Sequence, residues 1–323
     1  MVVIYTDGLK RPCGVLKKYK VDLDIGAEND FEITMHTVHH CMEYGSIWYV
    51  DGTEYGGIVD DIKIDTDSGK VSYTGRAWRG ILAKKIIEPD DGEDYLTVNG
   101  EANGILAELI DRLDVADMFQ ASGVDSGITI TSHQFERYCT GIDGITKMLA
   151  SVGARLQLVM SEDSGLVVLS AVEAEDLSET YEYSDDYGMK LIMNEVHSGV
   201  NHLICLGQGD LAERTVIHLY VDANGNVGDT QYYTGIQEIA ETYEYTSAED
   251  EDDLIDAGAD KLESLKSANA LSATLGKTDV DVNIGDIVGG KNRATGIQMT
   301  CTVASKIVKI ENDQLTVTYE VED

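Results

Sequence analysis

Four side chains that commonly bind transition metals fall within residues 36–41, HTVHHC. They are His36, His39, His40 and Cys41, and imidazole and thiolate groups are typical zinc ligands. Because side chains alternate between the two faces of a β-strand, the first and third histidines would face one way and the other two groups the opposite way. Two ligands on one face do not complete a metal site, so we predict that no metal binds here.

A second segment, DVDVNIGD at residues 279–286, carries carboxylates at a spacing that partly resembles a calcium-binding loop. The glycine stands at the seventh position instead of the sixth, and the twelfth position is not glutamate. Val280, Val282 and Ile284 alternate with polar residues, which is the pattern of a β-strand. The segment is therefore predicted to be a strand without bound calcium.

No catalytic motif stands out from the sequence. It contains neither GxSxG nor a P-loop, and its 59 acidic residues offer too many carboxylates to single out one hydrolytic pair. Five cysteines, an odd number without a CxxC pair, indicate reduced and mostly buried thiols. We predict that the chain is not an enzyme and needs no cofactor. A cell-wall glycan hydrolase and an acidic cation-binding module stay open as alternatives.

The net charge of the chain argues against anionic binding partners. With 24 basic residues against 59 acidic ones the formal net charge is -35, and such a field repels nucleic acid and anionic lipid. The sequence has no apolar run long enough for a membrane span and no signal-peptide pattern at its start. We expect synthesis in the cytoplasm, no specific binding of nucleic acid and no membrane span.

The negative charge is unevenly distributed. Residues 1–88 hold 11 bases and 14 acids, a net charge of -3, whereas residues 89–323 hold 13 bases and 45 acids, a net charge of -32. A small basic and aromatic patch, YTGRAWRGILAKKI at residues 73–86, lies in the nearly neutral part. Its residues of interest are Arg76, Trp78, Arg79, Lys84 and Lys85.

Alternating strands and turns dominate the rest of the chain. IKIDTDSGKVSY predicts a hairpin whose two arms alternate with a period of two, Ile62 and Ile64 in one arm matching Val71 and Tyr73 in the other. IHLYVDANGNVGDTQYY predicts another hairpin around Asn224 and Gly225. DQLTVTYEVED is the clearest strand. Apolar residues at helical spacing predict two amphipathic helices; the stripes are Ile105, Leu106, Leu109, Ile110 and Leu113 in the first, and Ile142, Ile145, Met148, Leu149 and Val152 in the second.

A third helix is predicted from TSAEDEDDLIDAGADKLESLKSA. Thr246 or Ser247 is a candidate N-cap, and the acids at 249–253 favour the positive end of the helix dipole. The acidic cluster thus needs no bound cation to explain it. Leu254, Leu262 and Leu265 form its inner stripe.

The order of these segments resembles bacteriophage tail-tip and baseplate hub proteins, including those of phage-derived contractile particles. The segments that carry the resemblance are VVIYTDGLKRPCGVLKKYKVDLDIGAENDFEI, YGGIVDDIKIDTDSGKVSYTGRAWRGILAKKII, SGVNHLICLGQGDLAERTVIHLYVDANGNVG and VNIGDIVGG. The resemblance implies a mainly β, α+β fold with two similar β-barrel modules and an inserted helical and strand region. Three chains would then form a ring that adapts a six-fold tail tube to a three-fold spike.

The resemblance also implies a division of the chain. The first barrel would span residues 1–95 and face the tube, and residues 96–187 would form the helix-containing insertion. Strands at 188–222 and 273–323 would build the second barrel, with a hairpin and the acidic helix at 223–272 between them. Since the sequence stops at Asp323, we expect no receptor-binding or peptidoglycan-cleaving extension.

The partners that follow from the resemblance are further copies of the chain, tail tube or distal tail proteins, a central spike or tip protein, and the tape measure protein. The expected location of the protein is the tail tip or baseplate of a virion or phage-tail-like particle. Trp78 with Ile81, Leu82 and Ile86 would plug a barrel end, leaving the bases outside. Arg76, Arg79, Lys84 and Lys85 would then contact acidic surfaces of neighbours, although pairing with acids of their own chain is the alternative.

Overall fold

The structure, a computed structural model, describes residues 1–178, 190–194, 198–209, 211–248, 250–266, 270–274, 282–291, 298–311 and 314–322. The chain divides into two compact units, of which the first is Met1–Ile192 with Leu271–Glu322 and the second is Met193–Ala270. The fold is mainly β with few helices, as predicted. The predicted boundary at residues 187–188 falls within a stretch outside the described residues.

A ten-stranded antiparallel sheet, curled into a half-barrel, forms the base of the first unit. From the N-terminal part it takes β1 (Ile4–Thr6), β2 (Pro12–Val15), β3 (Tyr19–Ile25), β4 (Asp30–His36), β5 (Ile47–Tyr49), β6 (Gly56–Asp65) and β7 (Lys70–Ala77). The C-terminal part adds β19 (Ile287–Lys291), β20 (Gln298–Glu311) and β21 (Gln314–Glu322). Their order is β19-β20-β3-β4-β7-β6-β5-β1-β2, and β21 pairs with β20.

The registers of this sheet confirm two of the predicted strand patterns. Ile62 pairs with Tyr73 and Ile64 with Val71, so β6 and β7 form the expected hairpin. In β21, Tyr319 is buried, and Leu315, Val317 and Val321 pack against the core of the sheet. Side chains at every second position meet one core because strand residues alternate between faces.

Strands from the N-terminal and C-terminal parts of the sequence pair with each other in this sheet. β20 pairs with β3 from Lys306 opposite Ile25 to Glu311 opposite Lys20. The strands of residues 287–322 therefore extend the sheet that residues 4–77 begin, while the strands of residues 202–221 lie in a separate sheet of the second unit. The assignment of both groups to one second barrel stays a prediction.

The insertion in the first unit packs helices against two small sheets. Its elements are β8 (Thr97–Glu101), α2 (Ala102–Arg112), β9 (Phe119–Ala121), β10 (Thr129–Gln134), α3 (Gly141–Ala150), β11 (Ala154–Ser161) and β12 (Leu166–Glu173), after a short α1 (Trp78–Ala83). β8 pairs with β10, and β11-β12-β9 form the other sheet. The stripe of α2 is fully buried, which confirms the predicted helix. Of the α3 stripe, Val152 is 39% exposed because the helix ends at Ala150.

Glu101 caps α2, and we expect its ionisation to stabilise the fold. Burial opposes its charge, but the hydroxyl and N–H of Ser126 and the N–H groups of Asn103 and Gly104 all donate to its carboxylate. These hydrogen bonds lower the pKa of Glu101 from 4.5 to about 2. The contribution is therefore complete above pH 4.5 and is lost as the pH falls towards 2.

The Glu101→Gln variant tests this expectation. We expect the acid-induced loss of stability in that pH window to be smaller in the variant than in the wild type, measured by urea unfolding at stepped pH. Glu108→Gln, on the same helix, is the matched control. An identical pH dependence in wild type and Glu101→Gln would contradict the role of Glu101.

The second unit is a four-stranded sheet covered on one face by a helix. The sheet has the order β16 (Val227–Gly228), β15 (Val216–Val221), β14 (His202–Leu206), β17 (Ala240–Glu244), and the helix is α4 (Glu251–Leu265). The predicted hairpin around Gly225 is confirmed, because Tyr220 pairs with Gly228 and Gly225 has a φ of +84°. Elsewhere, β13 (Lys190–Asn194) pairs with β18 (Ala270–Thr274).

The N-cap predicted for α4 is wrong. The cap is Asp250, whose carboxylate accepts the N–H of Asp253 at 2.9 Å, and not Thr246 or Ser247. Aspartate caps as well as serine does, and it stands directly before the first helical residue. Leu254 and Leu262 are buried as expected, and Leu265 is partly buried against the same core. Glu249 lies outside the described residues.

Candidate assembly surface

The basic patch spans the end of β7, α1 and the turn that follows. At its start, β6 has a bulge between Val59 and Asp61, which leaves Asp60 without a register partner on β7. A Cβ at Gly75 would lie 2.0 Å from the carbonyl oxygen of Ile58, so the bulge requires glycine at this position.

Arg76 binds Asp60, the residue at this bulge, through both its side chain and its backbone. Its Nε and Nη2 donate to the two carboxylate oxygens of Asp60 at 2.8 Å each, and its backbone N–H donates to the same group at 3.1 Å. Hydrogen bonding to Arg76 lowers the pKa of Asp60 below its ordinary value. The side chain of Arg76 is still 37% exposed. Arg76 therefore follows the alternative of pairing within its own chain.

More side chains of α1 are buried than the sequence predicts. Trp78 and Leu82 are fully buried, and Ile81 packs against the same core. Arg79 is also buried, because its Nε donates to Glu54 at 2.5 Å and its Nη2 donates to the carbonyl oxygen of Leu156 at 3.1 Å. The prediction that all four bases lie outside is wrong for Arg79.

The two lysines of the patch lie closer to solvent. Lys84 is exposed and has no ion pair among the described residues. Lys85 is half-buried, and its Nζ donates to the carbonyl oxygen of Asp114 at 3.3 Å. Ile86, predicted to plug the barrel end, is 44% exposed because it follows the end of α1. Of the predicted site, only Arg76, Lys84 and Lys85 reach the surface, and a role for them in assembly stays a prediction.

A stronger basic surface lies in the segment that runs from the edge strand β2 to the start of β3. Residues 8–21 hold five bases and no acid, a run of charge that belongs to no recognised motif. All five bases are exposed: Lys10, Arg11, Lys17, Lys18 and Lys20. We call residues 9–20 the basic edge.

The basic edge contains lysines that have no ion-pair partner among the described residues, and it includes the exposed strand β2. Lys10, Arg11 and Lys20 form ion pairs with Asp117, Asp7 and Glu311. Lys17 and Lys18 have no such partner among the described residues. All four residues of β2 are exposed, and this strand pairs with β1 alone in the described part of the sheet. An open strand with free cations suits contact with an acidic neighbour.

The histidine segment is arranged differently from the predicted strand. β4 ends at His36, and a 3-10 helix spans Thr37–His39. Nδ1 of His36 accepts the N–H of Val38 at 3.2 Å, and Nδ1 of His40 lies 2.5 Å from the hydroxyl of Tyr73. In the parts of the chain that the structure describes, no group of three or more metal-binding side chains is present.

The aspartate that closes DVDVNIGD serves a buried ion pair. Asp286 is fully buried, and its Oδ1 accepts Nε of Arg155 at 2.6 Å. Its Oδ2 accepts the N–H of Asn283. Residues 279–281 lie outside the described residues. Of the cysteines, Cys205 and Cys301 are buried, Cys41 and Cys139 are partly buried and Cys13 is exposed, so the prediction of buried thiols holds for two of the five. Burial raises the pKa of the Cys41 and Cys205 thiols.

Comparison with known proteins finds likeness in structure only. No protein-family model and no curated protein matches the sequence. The 43 kDa tail protein of prophage MuSo2 from Shewanella oneidensis aligns with a TM-score of 0.55 at 12% identity, over 99% of this chain and 97% of that chain. The tail protein from Neisseria meningitidis MC58 aligns with a TM-score of 0.53 at 14% identity, over 100% and 96%.

A third likeness is to the p2 virion baseplate in its activated conformation. This alignment has a TM-score of 0.55 at 14% identity and covers 100% of this chain and 99% of that chain. The three alignments confirm the fold resemblance that the sequence indicates. No helix in the described residues is both long and apolar enough to cross a bilayer.

Proposed function

We propose that this chain, which has the fold of phage tail and baseplate proteins, is a structural hub of a phage or phage-like tail tip. The observation that carries the proposal is the extent of the likeness. It covers nearly the whole of both chains in each comparison, so it includes the sheet, the insertion and the second unit together. A non-enzymatic role agrees with neighbours that are structural tail proteins.

In this proposal the hub is a homotrimer. Two barrel modules in each chain give six similar contact sites from three copies, which is what a three-fold object needs to contact a six-fold tube. The tube or distal tail protein then binds one face of the ring, a spike or tip protein binds the other, and the tape measure protein reaches the channel. The location is the tail of the particle.

The charge distribution supports a division of roles between the two parts of the chain. The net charge of -32 on residues 89–323 suits the lining of a channel, because DNA adsorbs only where cations replace its counterions. The basic edge lies in the part with a net charge of only -3. Acidic copies can approach one another there with less repulsion, so we assign the basic edge to the contact between subunits.

Native mass spectrometry of the purified chain tests the trimer. We expect a species of about 106 kDa, three times the 35.2 kDa of one chain, either alone or after addition of the neighbouring tail proteins. A 35.2 kDa monomer under both conditions would contradict the hub. Release of peptidoglycan fragments or calcium-dependent melting would favour the hydrolase or the cation-binding module instead.

A further inference from the structure

The sheet of the second unit buries one of its faces more completely than the other. α4 packs on the face that carries Leu203, Cys205 and Leu219, which form one core with the apolar side of the helix. Because side chains alternate along a strand, the intervening positions of β14 and β15 lie on the opposite face. We call this opposite face the open face, and its residues are His202, Ile204, Leu206, Val216, His218 and Tyr220.

The open face is more apolar than a sheet face that only meets water. Val216 is 45% exposed, and Ile204, Leu206 and Tyr220 are half-buried. A sheet with one solvated face usually alternates between apolar and polar residues, whereas strands that are covered on both faces are almost continuously apolar. HLICL of β14 and VIHLYV of β15 follow the second pattern. The composition therefore indicates that another surface covers the open face.

A loop with exposed apolar residues borders the open face. Oε1 of Glu238, in this loop, lies 2.5 Å from Nδ1 of His202 and accepts Nε2 of Gln231 at 3.1 Å. The same loop exposes Tyr232 at 59% and Ile236 completely. The loop thus enlarges the apolar surface at the His202 end of the open face.

The charge around the open face determines which kind of partner fits it. Residues 215–260 hold twelve acids and no lysine or arginine, so a second acidic surface would be repelled. The basic edge has the opposite charge, because Lys17 and Lys18 are exposed and have no ion pair among the described residues. The basic edge also exposes Leu9 at 72% and Val15 at 45%. It therefore matches the open face in both charge and apolar character.

We propose that the open face binds the basic edge of a second copy of this chain. The proposal rests on the proposed trimer and adds the surface that the basic edge contacts there. Because the two surfaces differ, the contact is head-to-tail, and repeated head-to-tail contacts generate a closed ring where their rotation closes. Apolar side chains of both surfaces become buried, while Lys17 and Lys18 face the acidic surroundings of the open face.

Val216→Lys tests this contact. We would measure the association constant of the trimer by analytical ultracentrifugation, under the conditions in which native mass spectrometry detects the trimer. The new cation faces Lys17 and Lys18 of the neighbouring copy, so we expect association at least tenfold weaker than in the wild type. General repulsion between copies predicts the opposite sign, because an added base makes the net charge of -35 less negative.

The matched control is Val124→Lys, at a valine of the insertion that is 73% exposed. It changes the net charge by the same amount at a position outside the open face. We expect this control to associate at least as tightly as the wild type.

A charge swap protects the test against misfolding. Combining Val216→Lys with Lys17→Glu/Lys18→Glu places opposite charges across the contact again, so we expect tighter association than in either parent variant. A misfolded variant would not be restored in this way. The proposal is overturned if Val216→Lys associates as tightly as the wild type, or if the combination associates no more tightly than its parents. A chain that stays monomeric contradicts the trimer as well, whereas a trimer with either of these results contradicts the contact alone.

Discussion

Arg79→Met is expected to destabilise the first unit by about 3 kcal/mol, since removing one partner of a buried ion pair leaves the other charge without compensation. Glu54, with a side chain that is 11% exposed, would lose its 2.5 Å contact and keep only Lys306 at 3.8 Å. The carbonyl oxygen of Leu156 would lose the donor on Nη2 as well. The cost therefore combines a buried charge with an unsatisfied acceptor.

Urea unfolding followed by tryptophan fluorescence reports on the stability of the first unit, to which Arg79 belongs. The chain has two tryptophans, Trp48 and Trp78, and both are fully buried in the first unit. Lys84→Met removes an exposed base from the same patch and should change the free energy of unfolding by less than about 0.5 kcal/mol. Wild-type stability in Arg79→Met, together with weaker assembly, would show that Arg79 contacts a partner instead of Glu54.

The double variant Lys17→Glu/Lys18→Glu is expected to weaken association of the trimer at least tenfold. This prediction rests on the proposed function and on the basic edge as the contact between subunits. Like charges brought together across an interface cost several kcal/mol, and about 1.4 kcal/mol corresponds to a factor of ten in affinity. Wild-type association should weaken as salt rises, because both lysines are exposed.

A matched charge reversal distinguishes the effect of changing this surface from the effect of making the net charge of the chain more negative. Lys63→Glu/Lys70→Glu makes the same change at exposed positions of the β6–β7 hairpin. We expect the trimer mass to persist in that control and both variants to unfold at the same urea concentration as the wild type. Equal association constants for Lys17→Glu/Lys18→Glu and the wild type would contradict the basic edge as an interface, even where the trimer itself is found.

Local periodicity in the sequence determined most of the secondary structure. The stripe of α2 and the pairing of Ile62 with Tyr73 follow from residues that are near neighbours in the chain. Their spacing repeats every 3.6 or every two residues, and burial of one face is enough to select helix or strand. The sequence does not determine the cap of α4, because TSAED offers several side chains that can cap a helix and that differ in position.

Only the tertiary structure decided which charges are buried and what they contact. Arg79 and Lys84 are both bases of one short patch, yet Glu54 holds the first in the core while the second stays in solvent. Arg155 and Asp286 are 131 residues apart and form one ion pair. Likewise, β20 reaches β3 across almost the whole chain. Such contacts depend on how distant segments meet, and the spacing of residues along one segment contains no information about that.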